Sequence, residues 1–176
     1  MNCSEGKKTE GKEKETDWLS RARLLVGDDV LERLRSSNVL VVGLGGVGAY
    51  AAEMICRAGV GKMTIVDGDR VHTTNRNRQL IALRSSEGLP KAMVMADRLI
   101  NINPSLDLTV IDEYLRDSRM VEVLGQGFDY LVDAIDTLSP KVFLIWHAVS
   151  KKIPVVSSMG SGGKLDPMKI SICDIS

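Results

Sequence analysis

The chain has 176 residues, of which 44% are hydrophobic, and its 23 basic and 23 acidic residues leave no formal net charge. This length fits one domain with a sizeable core, and the balanced charge gives no global electrostatic attraction to nucleic acid. No apolar run approaches the roughly 20 residues of a membrane span, and the polar N-terminus lacks the apolar segment of a secretion signal. A cytoplasmic protein is therefore expected.

The three cysteines, Cys3, Cys56 and Cys173, are scattered along the chain and form no C-x-x-C pair. This spacing argues against a disulfide framework and against a four-thiolate zinc site. Cys56 lies at helical spacing among apolar residues and is expected to be a buried small hydrophobe. Cys173 alternates with Ser171 on a predicted late strand, so a structural role is expected there too. No adjacent base marks either thiol as a nucleophile.

The first 16 residues are polar and charged, which predicts a disordered tail, and residues 17–176 are expected to form one domain. After the tail, apolar spacing predicts two short helices around Gly27, within residues 18–34. The remaining predicted elements, in chain order, are strand 39–42, helix 46–58, strand 62–66, helix 91–102, strand 108–111, helix 118–124, strand 130–133, helix 140–150, strand 155–157 and strand 169–173.

Strands that alternate with helices in this way are typical of β-α-β units, which form parallel sheets with helices on both faces. The predicted fold class is therefore α/β, with a Rossmann-like, mainly parallel sheet. The chain ends shortly after its last predicted strand, which is abrupt for this class. We therefore expect that a C-terminal part is missing.

A glycine-rich segment follows the first predicted strand, with glycines at positions 43, 45, 46 and 48. The pattern fits G-x-G-x-x-G, in which Gly43 would permit a tight turn, Gly45 would let a ligand approach the backbone, and Gly48 would let helix and strand pack closely. Gly46 is one glycine more than the pattern needs. Because the N–H groups of the next helix would point at the ligand, the segment predicts a site for a phosphate chain.

Asp67 ends the second predicted strand, about 20 residues beyond the glycine segment. A carboxylate at this place accepts hydrogen bonds from ribose hydroxyls in dinucleotide-binding folds. A glycine turn that served packing alone would not explain this aspartate. The two features together predict a nucleotide site.

Charged and amide side chains follow the second and fourth predicted strands, at the end of the sheet where ligands bind in open α/β folds. A mostly apolar nicotinamide pocket has no use for such a concentration of charge. Cleavage of a triphosphate does, because cations must neutralise phosphate charge and a carboxylate must hold Mg²⁺. The residues concerned are Asp69, Asn75, Arg78, Gln79, Lys91, Asp133 and Asp136.

Several of these residues also have a plainer interpretation. Residues 75–79 could form a solvated polar loop, and Lys91 could be a solvated lysine at a helix start. Asp136 could cap the helix that begins near Pro140. What favours a triphosphate site is the order along the chain: glycine turn, amide and arginine loop, lysine, second carboxylate.

Five motifs occur in this order: Gly43-x-Gly45-Gly46-x-Gly48, Asp67-x-Asp69, Asn75-x-x-Arg78-Gln79, Gly88-x-Pro90-Lys91 and Asp133-Ala-Ile-Asp136. In them the chain resembles the ThiF/ubiquitin-activating-enzyme superfamily, which adenylates carboxylates with ATP, from about residue 18 to residue 176. The runs 74–79, 102–104 and 157–167 are most similar to the family of bacterial tRNA threonylcarbamoyladenosine dehydratases. The lack of C-x-x-C pairs separates the chain from sulfur-carrier adenylyltransferases.

The resemblance implies a ThiF-type nucleotide-binding domain and an ATP-dependent cyclisation on tRNA. The carboxylate of N6-threonylcarbamoyladenosine in tRNA would become an acyl-adenylate, and an internal nucleophile held close to it would close the ring with a net loss of water. Two alternatives stay open. One is an adenylyltransferase that activates the C-terminus of a ubiquitin-like sulfur-carrier protein, and the other is an NAD(P) enzyme or binding module that does not adenylate.

The resemblance also implies roles for single residues. The glycines and Asp67 would bind the phosphates and ribose of ATP, with Asp69 and Gln79 as further contacts to the nucleotide. Cationic and amide side chains would stabilise phosphate charge, and a carboxylate would hold Mg²⁺. The residues in these two roles are Asn75, Arg78 and Lys91 for phosphate and Asp136 for the metal.

In this superfamily an arginine of the N-terminal helix reaches into the site of the partner subunit, which implies a homodimer. Arg21 fits this position, and Arg23 is a rival. A sulfur-transfer protein system is a further candidate partner. For tRNA, a basic face is also a candidate, made of Lys151, Lys152, Lys164 and Lys169, although a scattered, solvated set of lysines is the plainer interpretation.

Overall fold

The computed structural model describes residues 18–160, 162–163 and 165–174, so the predicted tail and Lys164 lie outside the described residues. Apart from the last predicted strand, every predicted element is present to within about two residues. The elements in chain order are α1 (Ser20–Val26), α2 (Asp28–Ser36), β1 (Asn38–Val42), α3 (Gly48–Arg57), β2 (Lys62–Val66), α4 (Lys91–Ile102), β3 (Asp107–Ile111), α5 (Asp117–Leu124), β4 (Tyr130–Asp133), α6 (Leu138–Ser150) and β5 (Val155–Ser157).

The five strands form one parallel sheet in the order β3-β2-β1-β4-β5. The register pairs Val42 at the end of β1 with Val66 of β2 on one side and with Asp133 of β4 on the other. The carboxyl ends of the central strands are therefore level. The strand order reverses between β1 and β4, which is the place where ligands bind in open α/β sheets.

Helices cover both faces of the sheet, as predicted. Side chains of a strand alternate between the faces, so Val39 and Val41 of β1 pack in one core with α3 and α4. Leu40 and Val42 pack in a second core with α5 and α6. The near-continuous apolar strands follow from this, because both of their faces are buried.

The predicted strand 169–173 is absent. Pro167–Lys169 forms a short 3₁₀ turn instead, in which the carboxylate of Asp166 accepts the N–H of Met168 at 3.0 Å. Residues 170–174, which follow it, are irregular and exposed, with Ile172 fully accessible. An alternating sequence alone does not make a strand, because the strand needs a hydrogen-bonded neighbour. The structural role predicted for Cys173 is therefore wrong, since its side chain is exposed.

Cys56 behaves as predicted. It is fully buried between α3 and α4, and its thiol donates to the carbonyl oxygen of Leu99 at 3.6 Å. Burial raises the pKa of this thiol to about 11, so it stays protonated and unreactive near neutral pH. In the described part of the chain, no helix has the length and apolar character needed to cross a bilayer.

Candidate nucleotide and acyl-transfer site

The loops that follow the strands enclose a cleft of about 780 Å³ at the carboxyl edge of the sheet. The segments that follow all five strands contribute to it, because parallel strands end at the same edge. The predicted site residues that line the cleft are Gly43, Gly45, Gly46, Asp67, Asp69, Arg78, Gln79, Lys91 and Asp136. Three others, Gly48, Asn75 and Arg21, are not among the lining residues.

The glycines permit contacts that a side chain would prevent. Gly43 has a φ of +92°, which strains other residues, and a Cβ there would lie 2.6 Å from the carbonyl oxygen of Ala134. A Cβ at Gly48 would lie 1.7 Å from the carbonyl oxygen of Gly43, so only glycine lets α3 start this close to β1. At Gly45 the nearest atom within 4 Å is Nε2 of Gln79, at 3.8 Å, so the backbone stays open to a ligand.

Asp67 braces the glycine turn. Its Oδ2 accepts the N–H of Leu44 at 2.6 Å, and its Oδ1 accepts the N–H of Asp69 at 2.8 Å. Burial raises the pKa of this carboxyl, and the two N–H donors act against that rise. Because each carboxylate oxygen accepts more than one hydrogen bond, the predicted contact with a ribose is compatible with this bracing.

Lys91 is buried and paired, so the solvated helix-start lysine considered above does not occur. Its Nζ donates to Oδ2 of Asp69 at 2.6 Å, and its side chain is only 6% exposed. Burial by itself would raise the pKa of Asp69, but the hydrogen bond and charge of Lys91, together with the N–H of Arg70 and the nearby His72, outweigh burial and hold that pKa below its ordinary value. The pair therefore places a fixed positive and a fixed negative charge at the wall of the cleft.

Asn75 does not line the cleft but stabilises a turn next to it. It is buried in the 3₁₀ turn Thr73–Asn75, where its Oδ1 accepts the N–H of His72 at 2.9 Å. Its carbonyl oxygen accepts the N–H groups of Arg78 (3.1 Å) and Gln79 (2.9 Å). In the structure the amide thus shapes the turn that presents these two side chains, and its predicted contact with phosphate stays a prediction.

Arg78 and Gln79 both line the cleft, but they differ in their hydrogen bonding. Arg78 donates to the carbonyl oxygen of Thr74 at 3.0 Å and to Oδ1 of Asn77 at 2.9 Å. The Oε1 of Gln79 is buried and has no hydrogen-bond partner in the described structure. A buried acceptor without a donor is costly, so this oxygen marks a place where a ligand with an N–H or O–H donor fits.

Asp136 lines the cleft in the loop that follows β4. The residue is exposed, and its carboxylate accepts no hydrogen bond from the described residues. The capping interpretation is wrong, because α6 has Thr137 at its N-cap and no side chain caps it. A carboxylate without N–H partners keeps its oxygens available for a divalent cation.

Sequence reasoning placed Asp133 among the charged residues at the site, but the residue is fully buried and does not line the cleft. It belongs instead to a buried cluster that sequence reasoning did not identify. Lys141, on α6, donates to Oδ2 of Asp133 at 2.5 Å, to Oγ of Ser157 at 3.2 Å and to the carbonyl oxygen of Ser158 at 3.0 Å. Asp133 has no exposed surface, and it also accepts the hydroxyl of Ser157 (2.6 Å). The cluster ties β4, α6 and β5 together beneath the loops that form this wall of the cleft.

The loop after β3 was also missed. Its residues Glu113, Tyr114, Leu115 and Arg116 line the cleft, and the guanidinium of Arg116 lies 5.9 Å from the centre of the Tyr114 ring. The signal was present in the sequence, because the carboxyl end of every parallel strand opens to this edge. The sequence prediction rests only on the segments after the first, second and fourth predicted strands.

The two N-terminal arginines differ in their surroundings. Arg23 lies with its Nε 2.6 Å from Oδ1 of Asp28. Arg21 is exposed and makes no ion pair within the described residues. Neither residue lines the cleft of its own chain.

A model of the ThiF family matches residues 19–171, which is most of the chain. The chain belongs to the ThiF family. The family assignment agrees with the observed sheet and with the motifs that line the cleft.

Two curated relatives and one solved structure carry the same name. The chain is 42% identical over 151 residues to the tRNA threonylcarbamoyladenosine dehydratase of Escherichia coli, covering 86% of this chain and 56% of the relative. For that of Bacillus subtilis the identity is 41% over 157 residues, covering 89% and 62%. The crystal structure of the E. coli enzyme in complex with ATP superposes with a TM-score of 0.85 at 41% identity, covering 88% of this chain and 63% of that one.

The sulfur carrier protein ThiS adenylyltransferase of E. coli is a more distant relative, at 30% identity over 155 residues. The comparisons therefore favour the dehydratases over the sulfur-carrier alternative. The chain spans about three fifths of the length of the dehydratases that it matches.

Proposed function

We propose that the cleft binds ATP with Mg²⁺ and that the chain acts as an ATP-dependent dehydratase on tRNA. It would adenylate the carboxylate of N6-threonylcarbamoyladenosine and then close the ring. The observation that carries this proposal is that the glycine turn, Arg78, Lys91 and Asp136 line one continuous cleft. The similarity to dehydratases, one of them solved with ATP, supports the same function.

Some of these residues would bind the phosphates of ATP, and others would stabilise the negative charge that develops during the reaction. The open backbone of the glycine turn and the first turn of α3 would hold phosphates through N–H groups. Arg78 and Lys91 would neutralise the charge that develops as pyrophosphate leaves. Lys91 would keep Asp69 as its partner and share its remaining N–H donors with phosphate, since an ammonium has three.

Asp136 would hold Mg²⁺. Within the described residues no group of three or more His, Cys, Asp or Glu side chains is arranged for a metal ion, so the ion would take the rest of its ligands from phosphate and water. When bound, Mg²⁺ supplies positive charge to the phosphates.

The chemistry balances in two steps. A carboxylate oxygen of the substrate attacks the α-phosphorus of ATP, and pyrophosphate leaves. An internal nucleophile of the threonylcarbamoyl group then attacks the activated carbonyl carbon and releases its proton to solvent, and AMP leaves with the former carboxylate oxygen. Water is thereby removed from the substrate, and the second step needs no strong protein base because the nucleophile is already held close.

Exchange of labelled pyrophosphate into ATP tests the substrate. We expect exchange with threonylcarbamoyl-modified tRNA and little with unmodified tRNA, because reversal of the first step requires the carboxylate. Exchange that does not depend on this tRNA but requires a small protein ending in Gly-Gly would contradict the proposal. Stronger thermal stabilisation by NAD than by ATP with Mg²⁺ would favour a dinucleotide instead.

We further propose a homodimer in which Arg21 of one subunit completes the cleft of the other. Arg21 is exposed, whereas Arg23 lies against Asp28, so Arg21 is the better placed of the two to reach outwards. A cytoplasmic location and a sulfur-transfer partner stay predictions.

Mixing two inactive variants tests this arrangement. Arg21→Ala and Asp136→Ala should each be inactive alone, and their mixture should regain up to about a quarter of wild-type turnover, since half of the dimers are then mixed and carry one intact site. Arg23→Ala serves as the control and should keep its activity. A mixture that stays inactive, although subunit exchange is demonstrated, would contradict the shared site.

A further inference from the structure

The connection between β2 and α4 carries four arginines within residues 70–84, a stretch that has no aspartate or glutamate. Its three acidic residues, Asp67, Asp69 and Glu87, flank this stretch, and two of them are already paired, Asp69 with Lys91 and Glu87 with Arg76. We call the four residues the arginine connection: Arg70, Arg76, Arg78 and Arg84. All four are exposed.

The backbone of this connection is well anchored. The N–H of Val71 donates to the carbonyl oxygen of Leu89 at 2.9 Å, and the N–H of Gly88 donates back to Val71 at 2.8 Å. Ile81 is buried in the core that α3 and α4 share, and its carbonyl oxygen accepts the hydroxyl of Ser86 at 2.7 Å. The arginines are therefore presented from an ordered scaffold, so a ligand would not have to order the chain on binding.

The connection also borders the cleft. Arg78 and Gln79 line it, and the turn Arg84–Ser86 follows a few residues later. A nucleotide inside the cleft and a chain of phosphates outside it can thus be bound by neighbouring parts of one segment.

The four guanidinium groups are engaged to different degrees. Arg70 donates to the carbonyl oxygen of Gly88 at 2.9 Å, and Arg76 pairs with the carboxylate of Glu87. The side chain of Arg84 makes no hydrogen bond or ion pair within the described residues. Because a guanidinium has five N–H donors in a fork that matches phosphate, such groups are well suited to a polyanion.

We propose that the arginine connection binds the phosphate backbone of the tRNA on the side of the nucleotide that enters the cleft. This inference rests on the proposed function, because it assigns a surface to the same substrate. A chain with zero net charge does not attract RNA as a whole, so the attraction has to come from a local concentration of cations. The arginine connection is such a concentration along the chain, and one of its members, Arg78, lines the cleft.

The lysines considered from sequence are less well placed. Lys151 and Lys152 follow the last turn of α6 and precede β5, so they lie at the amino edge of the sheet, opposite the cleft. An RNA bound there would have to pass around the molecule to bring its modified nucleotide to the site. Lys151 therefore offers a matched control: an exposed cation on the opposite edge.

The test compares Arg84→Gln with Lys151→Gln in binding to threonylcarbamoyl-modified tRNA over a series of salt concentrations. For Arg84→Gln we expect an affinity about 3- to 10-fold lower and a salt slope smaller by about one, as for the loss of one phosphate contact. For Lys151→Gln we expect no change. Thermal stabilisation by ATP with Mg²⁺ should be equal in both variants, which shows that fold and cleft are intact.

The outcomes separate the two proposals. Wild-type protein that binds ATP but not this tRNA, even at low salt, would overturn the proposed function and the surface with it. Wild-type binding that Arg84→Gln leaves unchanged in affinity and salt slope would overturn the surface alone. If Lys151→Gln weakens tRNA binding and Arg84→Gln does not, the proposed surface is overturned and the RNA binds at the amino edge of the sheet.

Discussion

Replacing Lys141 with methionine should lower the free energy of unfolding by about 3–5 kcal/mol, as is typical when one partner of a buried ion pair is removed. Asp133 has no exposed surface and would lose its ammonium partner, while Ser157 and the carbonyl oxygen of Ser158 would lose a donor. In a domain of this size the melting temperature should fall by roughly 6–20 °C. Denaturant and thermal unfolding measure the change.

Two further variants serve as controls for this result. Lys151→Met, at the exposed end of α6, should change stability by less than about 0.5 kcal/mol. The double change Asp133→Asn with Lys141→Met should cost less than the sum of the single changes, because it removes the unpaired charge. A Lys141→Met variant that is as stable as the wild type would show that the pair does not hold β4, α6 and β5 together.

Replacing Asp136 with asparagine should lower turnover about 10²–10³-fold or more, the usual effect of removing one strong electrostatic contact to a transition state. The amide is similar in size but carries no charge, so it should hold Mg²⁺ much less well. The fold should not change, since Asp136 is exposed and accepts no hydrogen bond from the described residues. Formation of AMP and Mg²⁺-dependent binding of ATP are the two measurements.

Asp112→Asn is the matched control. Asp112 is also an exposed aspartate in a loop at the carboxyl edge, but it is not among the residues that line the cleft. This variant should keep wild-type turnover and metal dependence. Full turnover in Asp136→Asn, or an equal loss in both variants, would refute the assigned role.

The sequence predicted the sheet well because its central strands, β1, β2 and β4, are buried on both faces. Such strands appear as short apolar runs, and the glycines, Pro90 and the Asn103-Pro104 pair mark the ends of the helices between them. The same approach failed at residues 169–173, where alternation predicted a strand that has no neighbour among the described residues. Periodicity reports which side chains share a face but not whether a partner strand is within reach.

For the site, residue types and their order along the chain indicated the glycine turn, Asp67, Lys91 and Asp136, and all of these except Gly48 line one cleft. Their roles at a nucleotide stay predictions. Their pairing was not predictable. Lys91 pairs with Asp69, while the side chain of Asn75 accepts an N–H within its own turn and does not line the cleft. These contacts depend on distances of a few ångströms between segments far apart in sequence.

The amino-acid sequence by itself determined the fold class, the family and the place of the proposed nucleotide site, because apolar periodicity and glycine spacing act locally along the chain. Only the tertiary structure decided which charges are neutralised and which remain available. Lys141 appears in the sequence as an ordinary helix residue, yet the fold buries it against Asp133. Asp136 could have been a helix cap, yet it lies free at the cleft. Burial and partner choice arise from packing, and packing sets the energy of a charge.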